Sequence, residues 1–201
     1  MKIFCVGRNY VEHIHELGNA IPENPVIFSK PDTALLKNGE AFYLPDFSSD
    51  IHHEAELVIR ISKAGKKINK EFAGNYFNEI GLGIDFTARD IQTSLKAKGL
   101  PWDLAKGFDG AAPIGEFIDK QKLSSPVLFS LKKNGTIVQE GDSSKMIYDF
   151  ESLISFISMY FTLKTGDLIF TGTPAGVGAV KKGDLLEGFI EDQRVLEIRV
   201  K

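Results

Sequence analysis

HHEAELVIRIS, residues 52–62, carries the strongest strand signal in the first half of the chain. Ala55, Leu57, Ile59 and Ile61 alternate with Glu54, Glu56, Val58 and Arg60. That period of two belongs to extended chain and not to helix. It also sets a problem. Glu54 and Glu56 leave such a strand from one face, and adjacent carboxylates repel each other in a structure already poor in acids. Either that face is wet or something cationic lies between the two side chains. His52 shares the face, and the two histidines His52 and His53 read as supports for the carboxylates rather than as ligands.

Working outward, short apolar runs dominate. MKIFCVG, NPVIFSK, EAFYLP, DLIFTGTP, DLLEGFIE and RVLEIRV read as strands, and SPVLFSLKKNGTIVQEG as a hairpin turning on Asn134-Gly135. Helices are few. NYVEHIHELG offers Asn9 as an N-cap and Gly18 as a stop. EIGLGIDFTARDIQTSLKAKG runs from strand into helix with Thr87 as the cap, and DFESLISFISMYFTL puts Phe150, Leu153, Ile154, Ile157, Tyr160 and Phe161 on one stripe. The pattern predicts a mixed α/β fold, mainly β, with a few short helices. There is no repeat, linker or low-complexity tract, so residues 1–201 read as a single domain.

Composition excludes several classes. At 201 residues, 43% hydrophobic and 25% charged, this is an ordinary globular chain. A net charge of -3 without a long basic run argues against nucleic acid as the main partner. The single cysteine, Cys5, excludes an internal disulfide and lies in an apolar run. The N-terminal apolar run is too short for a secretion signal, and no segment reaches the roughly 18 apolar residues of a membrane span. A soluble, cytoplasmic protein with no membrane partner is expected.

Asp85 ends the glycine-spaced run GLGID where strand gives way to helix, a place where a side chain can leave the core. With Glu54 and Glu56 it would make an all-oxygen set suited to Mg²⁺ or Mn²⁺. Zinc would call for nitrogen or sulfur at spacings this sequence lacks. His13 and Glu16 sit three apart, so one helical face presents an imidazole beside a carboxylate. That pair is either a general base with its orienting acid or two surface residues. His15 faces elsewhere and reads as surface. Lys106, in DLAKGFDGAAPIG, is a placed cation or a solvated loop lysine. TGTPAGVG, residues 171–178, has the glycine density of an anion-binding loop but lacks the Gly-Lys-Ser/Thr of a nucleotide loop; by itself it reads as a turn.

Taken together, CVGRNYVEHIHELG, PVIFSKPDTAL, HHEAELVIRI, GLGIDFTARDIQ, KGLPWDLAKGFDGAAPIG and GDLIFTGTPAGVG resemble, in this order, the fumarylacetoacetate hydrolase family. The resemblance runs from about residue 4 to the C-terminus and is nearest to the short, single-domain branch of acylpyruvate hydrolases and oxaloacetate decarboxylases. It implies a β-roll with a metal at its open mouth, in a homodimer. It places Glu54, Glu56 and Asp85 as Mg²⁺ or Mn²⁺ ligands, His13 and Glu16 as a catalytic dyad on a short lid helix, and Lys106 beside the metal. Arg8, Lys30, Gln92 and Thr173 match positions around the ligand, while Asp109 of KGFDG falls where members vary. The implied substrates are small dioxo or oxo acids, split at a C–C bond as acylpyruvates are, or decarboxylated like oxaloacetate. The alternative is isomerisation of 2-hydroxyhepta-2,4-diene-1,7-dioate or a related dienoate. Two readings outside catalysis, a silent metal-binding relative and a β-rich interaction module, account less well for the dyad and for six ordered motifs.

Overall fold

Residues 52–62 do not form one strand. In a computed structural model of the chain, which describes residues 1–16 and 22–201, the extended run breaks at Glu54 into strands Ile51–His53 and Ala55–Ile61. The break is where the chain passes from one sheet to another. Among the described residues there are three sheets, of seven, five and three strands. Ile51–His53 is the middle of the smallest, between Gly178–Ala179 and Thr87–Ala88. Ala55–Ile61 is the middle of the largest, whose order is Val26–Lys30, Ile3–Gly7, Leu168–Phe170, Ala55–Ile61, Phe77–Ile84, Ala112–Asp119 and Leu35–Lys37.

That central position explains the burial. Every residue of Ala55–Ile61 except Arg60 is buried, so the alternation read from the sequence does not separate a core face from a wet one. Leu57 and Ile59 belong to the same apolar cluster as Leu82, Phe170, Leu131 and Leu196. The five-stranded sheet, ordered Thr136–Asp142, Leu128–Lys133, Leu185–Ile190, Gln193–Val200, Ala41–Phe42, packs its two long C-terminal strands against Phe77–Ile84 and Ala112–Asp119. Each fully buried Leu, Ile or Phe in this interface contributes about 1.5 to 3 kcal/mol of transfer free energy.

The local signals mostly hold, with physical exceptions. Asn134 and Gly135 both have positive φ (53° and 81°), the geometry a two-residue hairpin requires. Helix Phe150–Tyr160 starts at Asp149, whose Oδ1 accepts from the Ser152 N–H at 2.8 Å. Its apolar stripe stops short: Leu153, Ile154 and Ile157 are buried, but Tyr160 and Phe161 lie beyond the core edge and are exposed. EAFYLP yields only the two-residue strand Ala41–Phe42. Asn9 is not a helix cap. Its amide ties three backbone segments, donating to Tyr148 O (3.0 Å) and Thr171 O (2.7 Å) and accepting from Tyr148 N. The helix it precedes, Val11–Glu16, is followed as far as Glu16, and the stop assigned to Gly18 lies outside the described residues.

Candidate functional site

Two strand ends build the site. Ala55 pairs with Ile84 across the large sheet, and the Asp85 N–H donates to Glu54 O at 2.8 Å just past the ends of the two strands. This register brings Glu54, Glu56 and Asp85 together with a carboxylate oxygen of each within 4.8 Å of the others. They are 5%, 1% and 1% exposed, which removes the wet-face reading.

Burying three carboxylates is costly unless charge and hydrogen bonds compensate. Two acids are compensated. Lys106 Nζ lies 2.8 Å from Glu54 Oε2 and 2.7 Å from Asp85 Oδ2, and donates also to Thr87 Oγ1. Thr87 therefore does not cap the following helix; its hydroxyl donates to Asp85 O and accepts from Lys106. Arg89 Nη2 meets Glu54 Oε1 at 2.5 Å, with Nη1 on Gln92 Oε1. Burial would raise the Glu54 carboxyl, but Lys106 and Arg89 outweigh it and hold Glu54 below the usual range. Lys106, which burial alone would push down, is held above the usual lysine range by Asp85 and Glu54.

Glu56 is the exception. Among the described residues it has no cationic partner, and it accepts one hydrogen bond, from Gly172 N at 2.7 Å. Burial, then Asp85 and Glu54, push its carboxyl well above the ordinary value. Asp85 Oδ1 is short of a donor as well. Lys30 Nζ sits 2.7 Å away, but off the direction of a hydrogen bond, because it donates to the carbonyls of Phe86, Lys106 and Ala111. A hard, buried, oxygen-only cluster with one acid uncompensated and one oxygen without a donor fits a divalent cation such as Mg²⁺ or Mn²⁺.

The glycine loop supplies the other wall. Gly172 has φ 98°, and a Cβ there would come 2.7 Å from Asn9 Cβ, so only glycine brings this N–H to Glu56. Gly176 has φ 97°, and its N–H donates to Glu16 Oε1 at 3.1 Å. Glu16 Oε2 in turn meets His13 Nδ1 at 3.0 Å, so the loop fixes the acid that orients the imidazole. Beneath the loop, Gln139 uses both ends of its amide. Oε1 accepts from Ala55 N (2.9 Å) and His53 Nδ1 (3.1 Å), while Nε2 donates to Thr173 Oγ1 (2.8 Å) and Pro174 O (3.1 Å). His53 is buried and its pKa is lowered to about 4, chiefly by desolvation, so it stays neutral. His52 instead bonds Asp50.

A family model described as fumarylacetoacetate (FAA) hydrolase C-terminal matches residues 2–201. The chain belongs to the fumarylacetoacetate hydrolase family. It is 41% identical over 202 residues to the mitochondrial oxaloacetate tautomerase FAHD1 of Mus musculus, covering 100% of this chain and 91% of that protein. It is 46% identical over 189 residues to the mitochondrial oxaloacetate decarboxylase of Dictyostelium discoideum, covering 92% and 87%. Among solved structures, fumarylpyruvate hydrolase from Pseudomonas aeruginosa in complex with Mn²⁺ and pyruvate is similar with a TM-score of 0.93 and 35% identity, over 100% of this chain and 89% of that one. The fold is that of the family, mixed α/β, strand-rich and with curled sheets.

Against this family frame the residues sort themselves. One pocket is lined by Arg8, His13, Glu54, Glu56, Asp85, Gln92, Lys106 and Thr173, so eight of the residues singled out in the sequence converge. Glu16 stands behind His13. Lys30 does not line the pocket; its buried ammonium is spent on three carbonyls and supports Asp85. The Thr173 hydroxyl is engaged too, donating to Ala55 O at 2.8 Å. Asp109 is exposed, outside the pocket lining. Arg89, Lys96 and Gln139 were not foreseen. Arg89, Gln92 and Lys96 sit at i, i+3 and i+7 of helix Arg89–Ala97, so spacing alone could have put them on one face. Nothing local marks Gln139. No helix among the described residues is long and apolar enough to cross a membrane.

Proposed function

We propose that the chain is a divalent-metal-dependent enzyme of small 2-oxo acids, acting through their enol or enolate forms, with oxaloacetate the favoured substrate. The observation that carries this reading is the buried carboxylate set, with Glu56 uncompensated, facing an oriented imidazole in one pocket. Glu54, Glu56 and Asp85 would hold Mg²⁺ or Mn²⁺, and the bound ion supplies the Lewis acidity that polarises a 2-oxo group. His13, with Nδ1–H on Glu16, presents Nε2 to the pocket as the proton acceptor. In keto–enol exchange it takes the proton from C3, and in acylpyruvate hydrolysis it takes one from water. Lys106 keeps a fixed positive charge beside the reacting oxygens, and Gln92 and Arg8 orient the acid. The names of the relatives, an oxaloacetate tautomerase, an oxaloacetate decarboxylase and a fumarylpyruvate hydrolase, support one enolate-forming site serving several outcomes.

The test is a panel of oxaloacetate (tautomerisation and decarboxylation followed separately), acetylpyruvate, fumarylpyruvate and 2-hydroxy dienoates, each with Mg²⁺, Mn²⁺ and chelator. Metal-dependent turnover of oxaloacetate above the others is expected. Turnover that is indifferent to chelator, or none on any 2-oxo acid, would sink the proposal.

A further inference from the structure

The pocket has a cationic end that the acid cluster does not use. Helix Arg89–Ala97 presents Arg89, Gln92 and Lys96 to it, and Arg8 enters from the end of strand Ile3–Gly7. Arg89 is neutralised by Glu54. Arg8 and Lys96 are not. Among the described residues neither lies within ion-pair distance of a carboxylate, and Glu54 is already held by Arg89 and Lys106. Arg8 Nε is buried without a hydrogen-bond partner.

Both residues also bear a cost. Arg8 has φ 61°, a left-handed backbone that a side-chain-bearing residue adopts only at a cost. Lys96 is half-buried, and its pKa is lowered to about 8 by desolvation, then by Arg89 and Arg8. Its Nζ rests 5.2 Å from the centroid of Trp102, which walls the pocket with Phe28. An arginine with a buried, unpartnered Nε and a lysine repelled by neighbouring cations are an arrangement that an anion would satisfy.

We propose that Arg8 and Lys96, against Trp102, form a subsite for the distal carboxylate of the substrate, making the enzyme selective for dicarboxylic 2-oxo acids over acids with a neutral far end. This rests on the 2-oxo-acid reading above and narrows it. The near carboxylate and oxo group belong at the acid cluster; a C4 diacid such as oxaloacetate then carries a second charge toward the cationic end, whereas the methyl ketone of acetylpyruvate offers none. Trp102 lets the subsite be read without turnover, because it is the only tryptophan in the chain.

The experiment titrates malate and its C4 amide, malamate, into Mg²⁺-loaded protein and follows Trp102 fluorescence. The two ligands share a skeleton, differ in distal charge and lack the oxo group that turnover needs. Wild type should prefer malate by about 10- to 100-fold, the range of a charge-assisted contact. Lys96→Met and Arg8→Met should each lose most of that preference, and Lys96→Arg should restore it. Lys98→Met, an exposed lysine two residues on, should leave it unchanged. A wild-type preference near one, a Lys96→Met variant as selective as wild type, or a Lys98→Met variant that loses as much would each overturn the subsite. Failure of the enzyme to act on any 2-oxo acid would instead remove the proposed activity and leave the malate preference standing.

Discussion

Glu56 and Asp167 are equally withdrawn from water, each 1% exposed, and the fold treats them in opposite ways. Asp167 sits in the turn before strand Leu168–Phe170, where Oδ1 accepts from Lys2 N (2.8 Å), Oδ2 accepts from Lys164 N (2.8 Å), and Lys2 Nζ closes an ion pair at 2.5 Å. Burial would raise its carboxyl, but these contacts outweigh it and hold Asp167 below the usual range. Glu56 has one N–H, two like charges beside it and a carboxyl pushed up. A buried acid whose every need is met belongs to the architecture. One left short is open to a ligand, and that difference marks the site more sharply than burial does.

The comparison breaks first, and by most, at the imidazole. His13→Ala should leave folding stability and metal affinity nearly unchanged, because His13 bonds Glu16 rather than the acid cluster. Acylpyruvate hydrolysis should fall by about 10²- to 10⁴-fold, or roughly 3 to 5 kcal/mol of transition-state stabilisation. Oxaloacetate decarboxylation, which needs no attacking water, should fall less. Equal losses in both assays would mean that His13 acts on a step the two reactions share.

Gln139 tests whether a satisfied polar group can be as critical as an unsatisfied one. Its amide makes four hydrogen bonds joining strand Thr136–Asp142 to Ala55, His53, Thr173 and Pro174. Gln139→Leu should cost roughly 2 to 4 kcal/mol in chemical denaturation, since it strands buried donors and acceptors at once. A loss below about 0.5 kcal/mol would mean that the loop is held by its glycines alone.

Gln139 also marks where the sequence stops being legible. Period-two runs, the Asn134-Gly135 turn and the Asp149-led helix are local rules, and local rules located most strands and the long helix. The acid cluster was legible for a related reason: Glu54 and Glu56 violate strand chemistry, and a violated rule is visible in one dimension. The break at Glu54 was not, because only the change of sheet produces it. Asn9 and Thr87 have the side chains of helix caps, yet tertiary partners 139 and 19 residues away claim them. Lys30 and Gln139 obey no local rule and violate none, so their roles exist only after folding.

Asp167→Asn should cost about 1.5 to 3 kcal/mol at neutral pH, the usual worth of hydrogen bonds to a charged group. The pH dependence follows from the direction of its shift. A carboxyl held low in the folded state contributes stability that is fully present above the unfolded value, about 3.9, and is lost as pH falls through the folded value. Wild type should therefore lose stability below about pH 4, and the variant should lose less over the same range. Parallel wild-type and variant curves of stability against pH would show that Asp167 is not compensated as its contacts imply.

The smallest expected effect is the most telling, because its sign is opposite. Glu56→Gln keeps the shape of the side chain and its acceptor for the Gly172 N–H while removing a negative charge beside Glu54 and Asp85. In chelator at neutral pH, where no ion offsets that repulsion, the variant should be as stable as wild type or up to about 1 kcal/mol more so, since deleting an uncompensated buried charge removes a cost rather than a contact. Added Mn²⁺ should raise the melting temperature of wild type by mass action and that of the variant much less, because one of the three carboxylates proposed to hold the ion has lost its charge. Asp167→Asn should behave in reverse, losing stability in chelator yet keeping the full response to Mn²⁺. If Glu56→Gln costs as much as Asp167→Asn in chelator, Glu56 is an architectural acid like the other, and the division between met and unmet carboxylates fails.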